Sequence, residues 1–342
     1  MKACVLHKPG PVTQRPLRLL DVPMPALRDG EILIKVRACA VCRTDLHIVE
    51  GELPQRQTPI IPGHQVVGEI VDVMEAQEGG SGIAIGERVG VAWLNRTCGT
   101  CRFCRSGREN LCENAAFTGW SCNGGYAQYV AAPAEFVYRL PPAEQMSDLH
   151  IAPLLCAGII GYRCLRLTEI ADWKGAKLGI YGFGAAGHLA IQIARARGAQ
   201  VYVCTRDQQK HQMLARELGA TWVGGTMEAP PVKLDASIIF APAGEIVPAA
   251  LQALDRGGRL VLGGIHMSPI PELKYEWLYH ERLVRSVANN TRADGREFLA
   301  EAACIGLRTS VQTFALEQAN EALIALKQDA IKGAAVLLID DS

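Results

Sequence analysis

The chain has 342 residues, of which 49% are apolar and 20% charged, so its composition is that of a globular protein and its length allows two domains. Its 35 Lys and Arg balance its 35 Asp and Glu, and the zero net charge disfavours nucleic acids and membrane surfaces as partners. The N-terminal residues lack the apolar core of a secretory signal, and the apolar stretch at 151–160 is too short to span a bilayer. We therefore expect a cytoplasmic protein.

The 12 cysteines are expected to be thiols or metal ligands, because a chain without a secretory signal folds in a reducing compartment. Six of them fall in the two candidate metal sites described below. The other six are expected to be small apolar residues of the interior. They are Cys4, Cys39, Cys122, Cys164, Cys204 and Cys304.

The first 150 residues predict a β-rich domain. Short β-branched segments, such as Glu31–Arg37, Val66–Val73 and Tyr126–Val130, alternate with turns rich in Pro and Gly. Many short strands of this kind favour a partly open, barrel-like sheet. We assign residues 1–152 to this domain and expect residues 292–342 to rejoin it.

Three distant segments each supply one candidate metal ligand: Cys42, His64 and Cys156. Two cysteines and one histidine leave zinc an open coordination position, which is typical of catalytic zinc sites. Taken singly, each residue has a simpler interpretation, since a lone histidine is more often part of the core than a ligand. Cys156 lies close to the start of the second domain, where the reactive ring of a cofactor is expected.

Four further cysteines form the compact pattern C-x2-C-x2-C-x7-C within residues 95–113. Four thiolates in one loop close a tetrahedral zinc site, which is typical of structural zinc. An iron–sulfur cluster favours a closer fourth cysteine followed by proline, whereas Glu113 follows here. We therefore predict a structural zinc lobe, with an iron–sulfur centre or redox-active thiols as alternatives. Its ligands are Cys98, Cys101, Cys104 and Cys112.

From residue 178 onwards, apolar strands alternate with predicted helices, including Ala185–Arg197 and Asp207–Leu218. This alternation predicts a parallel, doubly wound sheet of the Rossmann kind and therefore an α/β protein. We assign residues 153–291 to this second domain. The tail predicts two further helices, Asp294–Ile305 and Leu316–Lys327.

Gly182, Gly184 and Gly187 form the motif G-x-G-x-x-G between a predicted strand and a predicted helix. Glycine permits the tight turn and the close approach of the backbone to a pyrophosphate, while the helix N-terminus offers N–H donors and a favourable dipole. The context predicts dinucleotide binding by this loop, including Ala185 and Ala186. The alternative is a glycine-lined contact between helix and strand.

The next predicted strand ends at Thr205, Arg206 and Asp207, where the ribose of a dinucleotide is expected. An acidic residue at this tip favours NAD by binding both ribose hydroxyls, whereas a guanidinium pairs with the 2′-phosphate of NADP. Arg206 occupies the tip, so we predict a preference for NADP over NAD. In the alternative, Arg206 stacks on the adenine and Asp207 still binds the ribose.

Together these motifs resemble those of the zinc-containing medium-chain alcohol dehydrogenase family, over essentially the whole chain. The resemblance rests on C-x-T-D-x-H at 42–47, G-H-x-x-x-G at 63–68, the four-cysteine lobe, L-C-A-G at 155–158 and the glycine motif. The segment AWLNRTCGTC is especially similar to the microbial, yeast-type branch of that family.

The resemblance implies that the three dispersed ligands hold a catalytic zinc, which lowers the pKa of a bound alcohol. Thr44 and His47 fit a relay that carries the alcohol proton to water, and Asp45 fits a hydrogen-bond partner of His64. Arg43 fits a contact with the cofactor pyrophosphate. The simpler alternatives are a surface or capping role for His47, a helix N-cap role for Asp45 and a solvent-facing Arg43.

The chain departs from the family pattern around the expected active site. Most members have Glu directly after the ligand histidine, and Gln65 here leaves the site one charge unit more positive, which predicts easier deprotonation of the alcohol. Yeast-type enzymes narrow the substrate pocket with two tryptophans. Trp93 is present but Leu53 takes the other position, so we expect a roomier apolar pocket. Trp120 is a candidate either for its wall or for simple packing.

The resemblance thus implies a zinc-dependent enzyme that transfers hydride between primary alcohols or aldehydes and NADP or NAD, with two zinc ions per chain. It implies a small-molecule substrate and a homodimer or homotetramer. One alternative is an NADPH-dependent reductase of larger or unsaturated aldehydes. An alternative of another class is a non-catalytic nucleotide-binding protein with structural zinc only.

Overall fold

The computed structural model describes residues 1–74, 82–206 and 208–339. The chain divides into two compact units. The first unit comprises Met1–Cys156, Thr291–Ala303 and Arg308–Ser342, and the second comprises Ala157–Asn290 and Cys304–Leu307. Among the described residues, no single helix is both long and apolar enough to cross a membrane; Asp148–Leu155 and Ala157–Leu167 reach that length only when counted together.

The N-terminal part of the first unit consists mainly of short strands, with short helices between them. The strands are β1 Lys2–Leu6, β2 Leu17–Asp21, β3 Glu31–Val41, β4 Gln65–Val73, β5 Arg88–Val91, β6 Leu94–Arg96, β7 Ala116–Phe117, β8 Tyr129–Pro133 and β9 Val137–Arg139. The α-helices are α1 Arg43–Glu50, α2 Arg102–Arg105 and α3 Asp148–Ile151, and 3-10 turns lie at Val12–Gln14, Glu109–Leu111, Ala134–Phe136 and Ala152–Leu155.

Strands and helices alternate in the second unit, and the chain then returns to the first. The second unit contains α4 Ala157–Leu167, β10 Lys177–Tyr181, α5 Ala185–Ala196, β11 Gln200–Cys204, a π-helical turn Gln208–Gln212, α6 Met213–Glu217, β12 Trp222–Gly224, β13 Leu234–Ile239, α7 Ile246–Ala253, β14 Leu254–Leu262, a 3-10 turn Tyr275–Trp277 and β15 Leu283–Ser286. The remaining elements are α8 Arg292–Cys304, β16 Val311–Ala315, a 3-10 turn Leu316–Gln318, α9 Ala319–Lys327 and β17 Ala334–Leu338.

The sheet of the second unit has the strand order β12-β11-β10-β13-β14-β15, and every neighbouring pair is parallel. Counted from β10, this is the order 3-2-1-4-5-6 of a doubly wound dinucleotide-binding sheet. Its central strands are buried on both sides, so they carry continuous apolar runs such as VYVC in β11 rather than alternation. The predicted α/β fold class with a Rossmann sheet is confirmed.

The sheet of the first unit has the order β16-β17-β3-β4-β5-β9, with β8 also pairing β3. All of these pairs are antiparallel except β16 with β17. The C-terminal strand joins the N-terminal part because Ala335 pairs with Val41 and Leu338 pairs with Ala38. The register between β3 and β4 matters most for function. Ala40 lies opposite Gln65, so the residues just beyond β3 and just before β4 leave the sheet at the same end.

Several elements differ from their predicted bounds. β3 continues four residues beyond the predicted Arg37, because its last residues are small or β-branched and buried between β4 and β17. The strand predicted at Tyr126–Val130 lies at β8, since Tyr126 instead pairs its N–H with Pro62 in a loop. The predicted helix over residues 207–218 is a π-helical turn followed by α6 in its described part, and Asp207 lies outside the described residues.

The described cysteines are all free thiols, as expected for the chain. Cys4, Cys39, Cys164 and Cys204 are buried as predicted, whereas Cys122 is only half-buried. The prediction is wrong for Cys304, which is exposed at the C-terminal end of α8. Cys304 lies four and eight residues after the exposed Ala300 and Arg296, so it falls on the solvent-facing side of the helix.

Candidate active site and metal centres

The four-cysteine lobe brings four sulfur atoms together in one loop, with all Sγ atoms within 4.8 Å of one another. The Cys101–Cys104, Cys98–Cys112 and Cys98–Cys104 Sγ distances are 3.5, 3.6 and 3.9 Å. A tetrahedral zinc with Zn–S bonds of about 2.3 Å requires sulfur atoms about 3.8 Å apart. The residues present therefore fit a closed zinc site.

Backbone N–H groups also point at these sulfur atoms. The N–H of Cys101 donates to Cys98 Sγ at 3.3 Å, and the N–H of Cys98 donates to Cys112 Sγ at 3.4 Å. The N–H groups of Cys101 and Thr100 lower the pKa of Cys98 to about 6, whereas burial raises that of Cys112 to about 11. At Cys98 the loop thus stabilises negative charge on sulfur, the form in which cysteine binds a metal.

An ion pair fixes the lobe to the N-terminus of α8. Arg292 donates to both carboxylate oxygens of Glu109 at 2.8 to 3.1 Å, and its backbone N–H donates to the same carboxylate at 2.8 Å. The guanidinium also lies over the Phe136 ring, 4.4 Å from its centroid. Glu109 lies only three residues before Cys112, so this pair positions the end of the lobe. Sequence reasoning missed it because the partners are 183 residues apart.

The dispersed cluster brings together Cys42, His64 and Cys156, whose ligand atoms all lie within 4.8 Å of one another. Cys42 Sγ is 3.4 Å from His64 Nε2, close to the separation of about 3.6 Å that a tetrahedral zinc imposes on sulfur and nitrogen ligands. Cys42 follows β3 and His64 precedes β4, so the sheet register brings them together. Cys156 follows the 3-10 turn Ala152–Leu155. Among the described residues, this dispersed cluster supplies three candidate metal ligands, whereas the four-cysteine lobe supplies four.

Asp45 makes two hydrogen bonds that link the ligands Cys42 and His64. Its Oδ2 accepts the Cys42 N–H at 2.9 Å and thereby caps α1, while its Oδ1 contacts His64 Nδ1 at 2.9 Å. Asp45 and His64 are both fully buried. The sequence offered a capping role and a ligand-orienting contact as alternatives, and the structure contains both contacts. The second holds Nδ1 so that Nε2 faces the two sulfur atoms.

The charges of this cluster suit a cation. Burial alone lowers the pKa of His64, but the carboxylate of Asp45 and the sulfur of Cys42 outweigh it and raise the pKa to about 10. A hydrogen bond with Cys156, followed by burial, raises the pKa of the Cys42 thiol well above its ordinary value. The groups compete for protons or a metal, and a divalent cation that binds here displaces the protons.

Thr44 and His47 lie on α1, directly after Cys42. Thr44 is buried, and its N–H donates to Cys42 Sγ at 3.4 Å. His47 is half-buried in the last turn of the helix and contacts the Glu52 carboxylate through Nδ1. Glu52 was not predicted, although the glycine that precedes it marks the end of the helix.

An aromatic cluster lies beside His64. Trp93 approaches the imidazole edge-on, with ring centroids 5.0 Å apart, and stacks on Phe117 at 5.2 Å and on Trp120 at 5.7 Å. Leu53 is half-buried against the core of the first unit. Trp93 and Trp120 were candidates from the sequence, whereas Phe117 was missed because nothing in its sequence context marks it.

The glycine motif forms the turn between β10 and α5. Gly182 has a φ of +87°, and a side chain there would place its Cβ 2.8 Å from the Ala241 nitrogen; at Gly187 a Cβ would lie 2.8 Å from the Gly182 oxygen. Gly184 precedes α5. Within the described part of the chain, no side chain caps this N-terminus and no atom lies within 4 Å of the place that a Cβ of Gly184 would take. The turn thus exposes helix N–H groups of Ala185 and Ala186, which suits a pyrophosphate.

The remaining predicted cofactor residues lie at element ends. Thr205 is buried at the end of β11, where its carbonyl oxygen accepts a hydrogen bond from Gln212 at 3.0 Å. Arg206 follows it and is exposed. Arg43, the first residue of α1 in the first unit, is also exposed.

The chain matches two protein-family models. Residues 28–142 match the alcohol dehydrogenase GroES-like domain, and residues 185–303 match the zinc-binding dehydrogenase domain. The chain is 47% identical over 342 residues to "Probable alcohol dehydrogenase AdhA" of Mycobacterium tuberculosis (strain CDC 1551 / Oshkosh), covering 99% of this chain and 97% of the relative. It is also 34% identical over 350 residues to an alcohol dehydrogenase of Geobacillus stearothermophilus, covering both chains completely.

Solved structures show the same fold. The alcohol dehydrogenase of the hyperthermophilic archaeon Aeropyrum pernix superimposes with a TM-score of 0.84 at 28% identity, covering 99% of this chain and 100% of that chain. The cinnamyl alcohol dehydrogenase SbCAD4 of Sorghum bicolor superimposes with a TM-score of 0.86 at 26% identity, covering 98% and 97%.

These similarities confirm that the chain is an enzyme, an alcohol dehydrogenase with an alcohol or aldehyde as its small-molecule substrate. They also confirm zinc and a nicotinamide dinucleotide as its cofactors, and they do not favour the two alternative functions. The chain belongs to the zinc-containing medium-chain alcohol dehydrogenase family.

Proposed function

We propose that the enzyme acts reversibly on primary alcohols and aldehydes at a catalytic zinc bound by Cys42, His64 and Cys156. The observation that carries this proposal is the convergence of these three ligand atoms, from three separate segments of the chain, to within 4.8 Å. When bound, the zinc supplies Lewis acidity that lowers the pKa of an alcohol, and the nicotinamide accepts the hydride.

The chain's own residues then have distinct tasks. Asp45 holds His64 through Nδ1 and so fixes the direction in which Nε2 points. The Thr44 hydroxyl is the first carrier of the alcohol proton, and the imidazole of His47 is the group that passes it to water. His47 suits this task because its side chain retains 22% of its exposure, whereas Thr44 is buried.

The glycine turn is the proposed pyrophosphate site, with Gly182, Gly184 and Gly187 giving the backbone its close approach and Ala185 and Ala186 offering N–H donors. Arg43 is proposed as a further pyrophosphate contact.

The proposed preference for NADP depends on Arg206. Its exposed guanidinium follows Thr205 at the tip of β11, where the adenosine ribose binds in such sheets. We expect Arg206→Asp to shift the ratio of kcat/KM values for NADP and NAD towards NAD by about 10- to 100-fold, the range for a lost charged hydrogen bond. An unchanged ratio would rule out this role for Arg206.

The substrate pocket is proposed to be lined by Thr44, Leu53 and Trp93. Leucine is smaller than tryptophan, so the pocket should accept longer or bulkier primary alcohols than ethanol, in keeping with the yeast-type branch but with a wider opening. Spectrophotometric rates for a series of alcohols and aldehydes, measured with both cofactors, test this directly. A strict limit to two-carbon substrates would contradict it.

We further propose two zinc ions per chain, a cytoplasmic location and a homodimer or homotetramer. Metal analysis of the purified protein is the main test. Two zinc ions per chain are expected, one in each cysteine site, whereas one would indicate a protein in which zinc is only structural. Light scattering of the same sample tests the oligomeric state.

A further inference from the structure

The chain reverses direction at the end of α1, and this reversal brings the side chain of Glu52 back against the helix. Gly51 adopts the left-handed conformation, with φ of 81°, and its N–H donates to the Ile48 oxygen at 3.2 Å. The N–H of Glu52 then donates to the His47 oxygen at 2.9 Å. These two bonds define a Schellman motif, in which the residue after the glycine folds back over the last helical turn.

The position of Glu52 is therefore fixed by the backbone. A side chain at Gly51 would place its Cβ 2.9 Å from Cβ of Pro9, in a conformation that other residues rarely adopt. The N–H of Leu53 adds a third bond to the His47 oxygen at 3.3 Å. The Glu52 carboxylate consequently lies against the imidazole of His47, where Oε2 contacts Nδ1.

This contact selects one form of the imidazole. A carboxylate only accepts hydrogen bonds, so Nδ1 of His47 carries the hydrogen and Nε2 is left with a free electron pair. An imidazole accepts a further proton only through a nitrogen that bears no hydrogen. Nε2 is thus the atom of His47 that can take a proton.

The neighbouring carboxylate of Glu50 has partners other than His47. Glu50, on the same helix, receives Lys327 of α9 on both oxygens at 2.7 and 2.9 Å and accepts the Val12 N–H at 2.9 Å. The pKa of Glu50 is lowered below its ordinary value. Burial opposes this shift, whereas the hydrogen bonds from Lys327 and Val12 and the charges of Lys327 and His47 produce it. Among the described groups, Glu52 is the carboxylate in contact with the ring.

We propose that Glu52 is a positioning residue that holds His47 in its Nδ1–H tautomer, so that Nε2 accepts the proton released by the alcohol. This rests on the proposed relay role of His47. When Nε2 takes the proton, the imidazolium is stabilised by the Glu52 carboxylate and by the helix C-terminus until one proton leaves to water. Glu52 is 60% exposed, so this exit is open to solvent.

The experiment compares Glu52→Ala, Glu52→Gln and Glu52→Asp, with Glu321→Gln as the control, since Glu321 also forms an exposed ion pair, with Arg15 at 2.7 Å. The first readout is the ¹⁵N spectrum of the imidazoles, with His47 assigned from the signal lost in His47→Asn. We expect the Nδ1–H tautomer in the wild type, in Glu52→Asp and in Glu52→Gln, whose side-chain oxygen still accepts. We expect Glu52→Ala to gain the Nε2–H tautomer.

The second readout is the pH dependence of kcat/KM for alcohol oxidation. In Glu52→Gln the acidic limb should lie at lower pH than in the wild type, because the imidazolium has lost its carboxylate. In Glu52→Ala the loss should be about two- to fivefold in kcat with little change in KM, the size expected when an exposed pair is removed.

Four outcomes would contradict the proposals, and they distinguish the positioning role of Glu52 from the relay role of His47. A Glu52→Ala tautomer identical to the wild type refutes the positioning role, as do pH profiles that superimpose. Wild-type turnover in His47→Asn refutes the relay itself. Altered profiles in Glu321→Gln would show that any lost surface carboxylate has the same effect, and this also refutes a specific role for Glu52.

Discussion

The two cysteine sites of the first unit are built in opposite ways. The lobe draws all four sulfur atoms from 15 consecutive residues, Cys98–Cys112, and its backbone N–H groups stabilise them locally. The dispersed site draws its three ligands from the ends of β3 and β4 and from the 3-10 turn before Cys156. In this protein the closed site is therefore formed by one loop, whereas the open site depends on the pairing of the strands that bring its ligands together. Damage to the first should appear as lost stability, and damage to the second as lost chemistry.

The largest expected effect comes from Cys156→Ala. It should remove the catalytic metal and lower kcat by about a thousandfold or more, because a Lewis acid supplies several kcal/mol of the rate enhancement. Circular dichroism should show an intact fold, and metal analysis should show one zinc per chain. The exposed Cys304→Ala is the matched control and should retain full activity. Equal activity in the two variants would end the distinction between the sites.

Cys101→Ala tests the other side of the comparison. Three remaining thiolates do not close a tetrahedron, so the lobe should release its metal and the free energy of unfolding should fall by about 4 kcal/mol or more. Thermal unfolding measures this, with Cys304→Ala again as the control. At low temperature the surviving folded fraction should still turn over. An unchanged melting temperature would contradict a stabilising role of the lobe.

Arg292→Met should have a smaller effect on stability, about 1–3 kcal/mol, because it leaves the buried Glu109 carboxylate without its partner. Burial alone would raise the pKa of Glu109, but the hydrogen bonds from Arg292 outweigh burial and bring this pKa below its ordinary value. The pair therefore stabilises the fold above the ordinary carboxyl pKa of about 4.3, and this contribution is lost as the pH falls through the lowered pKa.

The difference between wild type and Arg292→Met should accordingly shrink as the pH falls below about 4. Denaturant unfolding at several pH values measures it. Arg139→Met, which removes a more exposed pair with Glu87, is the control and should cost less than about 1 kcal/mol. A pH-independent difference would mean that Arg292 acts through packing on Phe136 alone.

The smallest expected effect belongs to Gln65→Glu. Gln65 follows the ligand His64 and is buried, and its Nε2 has no hydrogen-bond partner among the described residues. A carboxylate there adds negative charge beside the open site and makes alcohol deprotonation harder. The acidic limb of the pH–rate profile should move up by about one unit or less. A profile unchanged by the substitution would count against an electrostatic role for this departure from the family.

The sequence predicted the sites more completely than their surroundings. The lobe was predictable because its spacing is local, and the glycine turn because a strand and a helix flank it. Cys42, His64 and Cys156 were candidates from the sequence, but their assignment to one catalytic zinc came from the family resemblance, because the proximity of Cys42 and His64 depends on the β3–β4 register, which neither segment encodes alone.

Contacts across long sequence separations were not predictable. Nothing in the sequence around Glu109 or Arg292 marks them as partners, and Phe117 lies beside Trp93 only because β6 and β7 pair. The contact between His47 and Glu52 was in principle accessible. A glycine four residues after the histidine marks the reversal that returns the next side chain to it.

The double use of Asp45 has a thermodynamic consequence. The carboxylate of Asp45 caps the N-terminus of α1 and also holds Nδ1 of His64. Formation of the helix and orientation of the imidazole are therefore coupled. Any ion captured by the imidazole must tighten that helix, and any fraying of the helix must weaken capture by the same free energy. The affinity for the ion therefore depends partly on the stability of α1, a helix of eight residues most of which do not contact the ion.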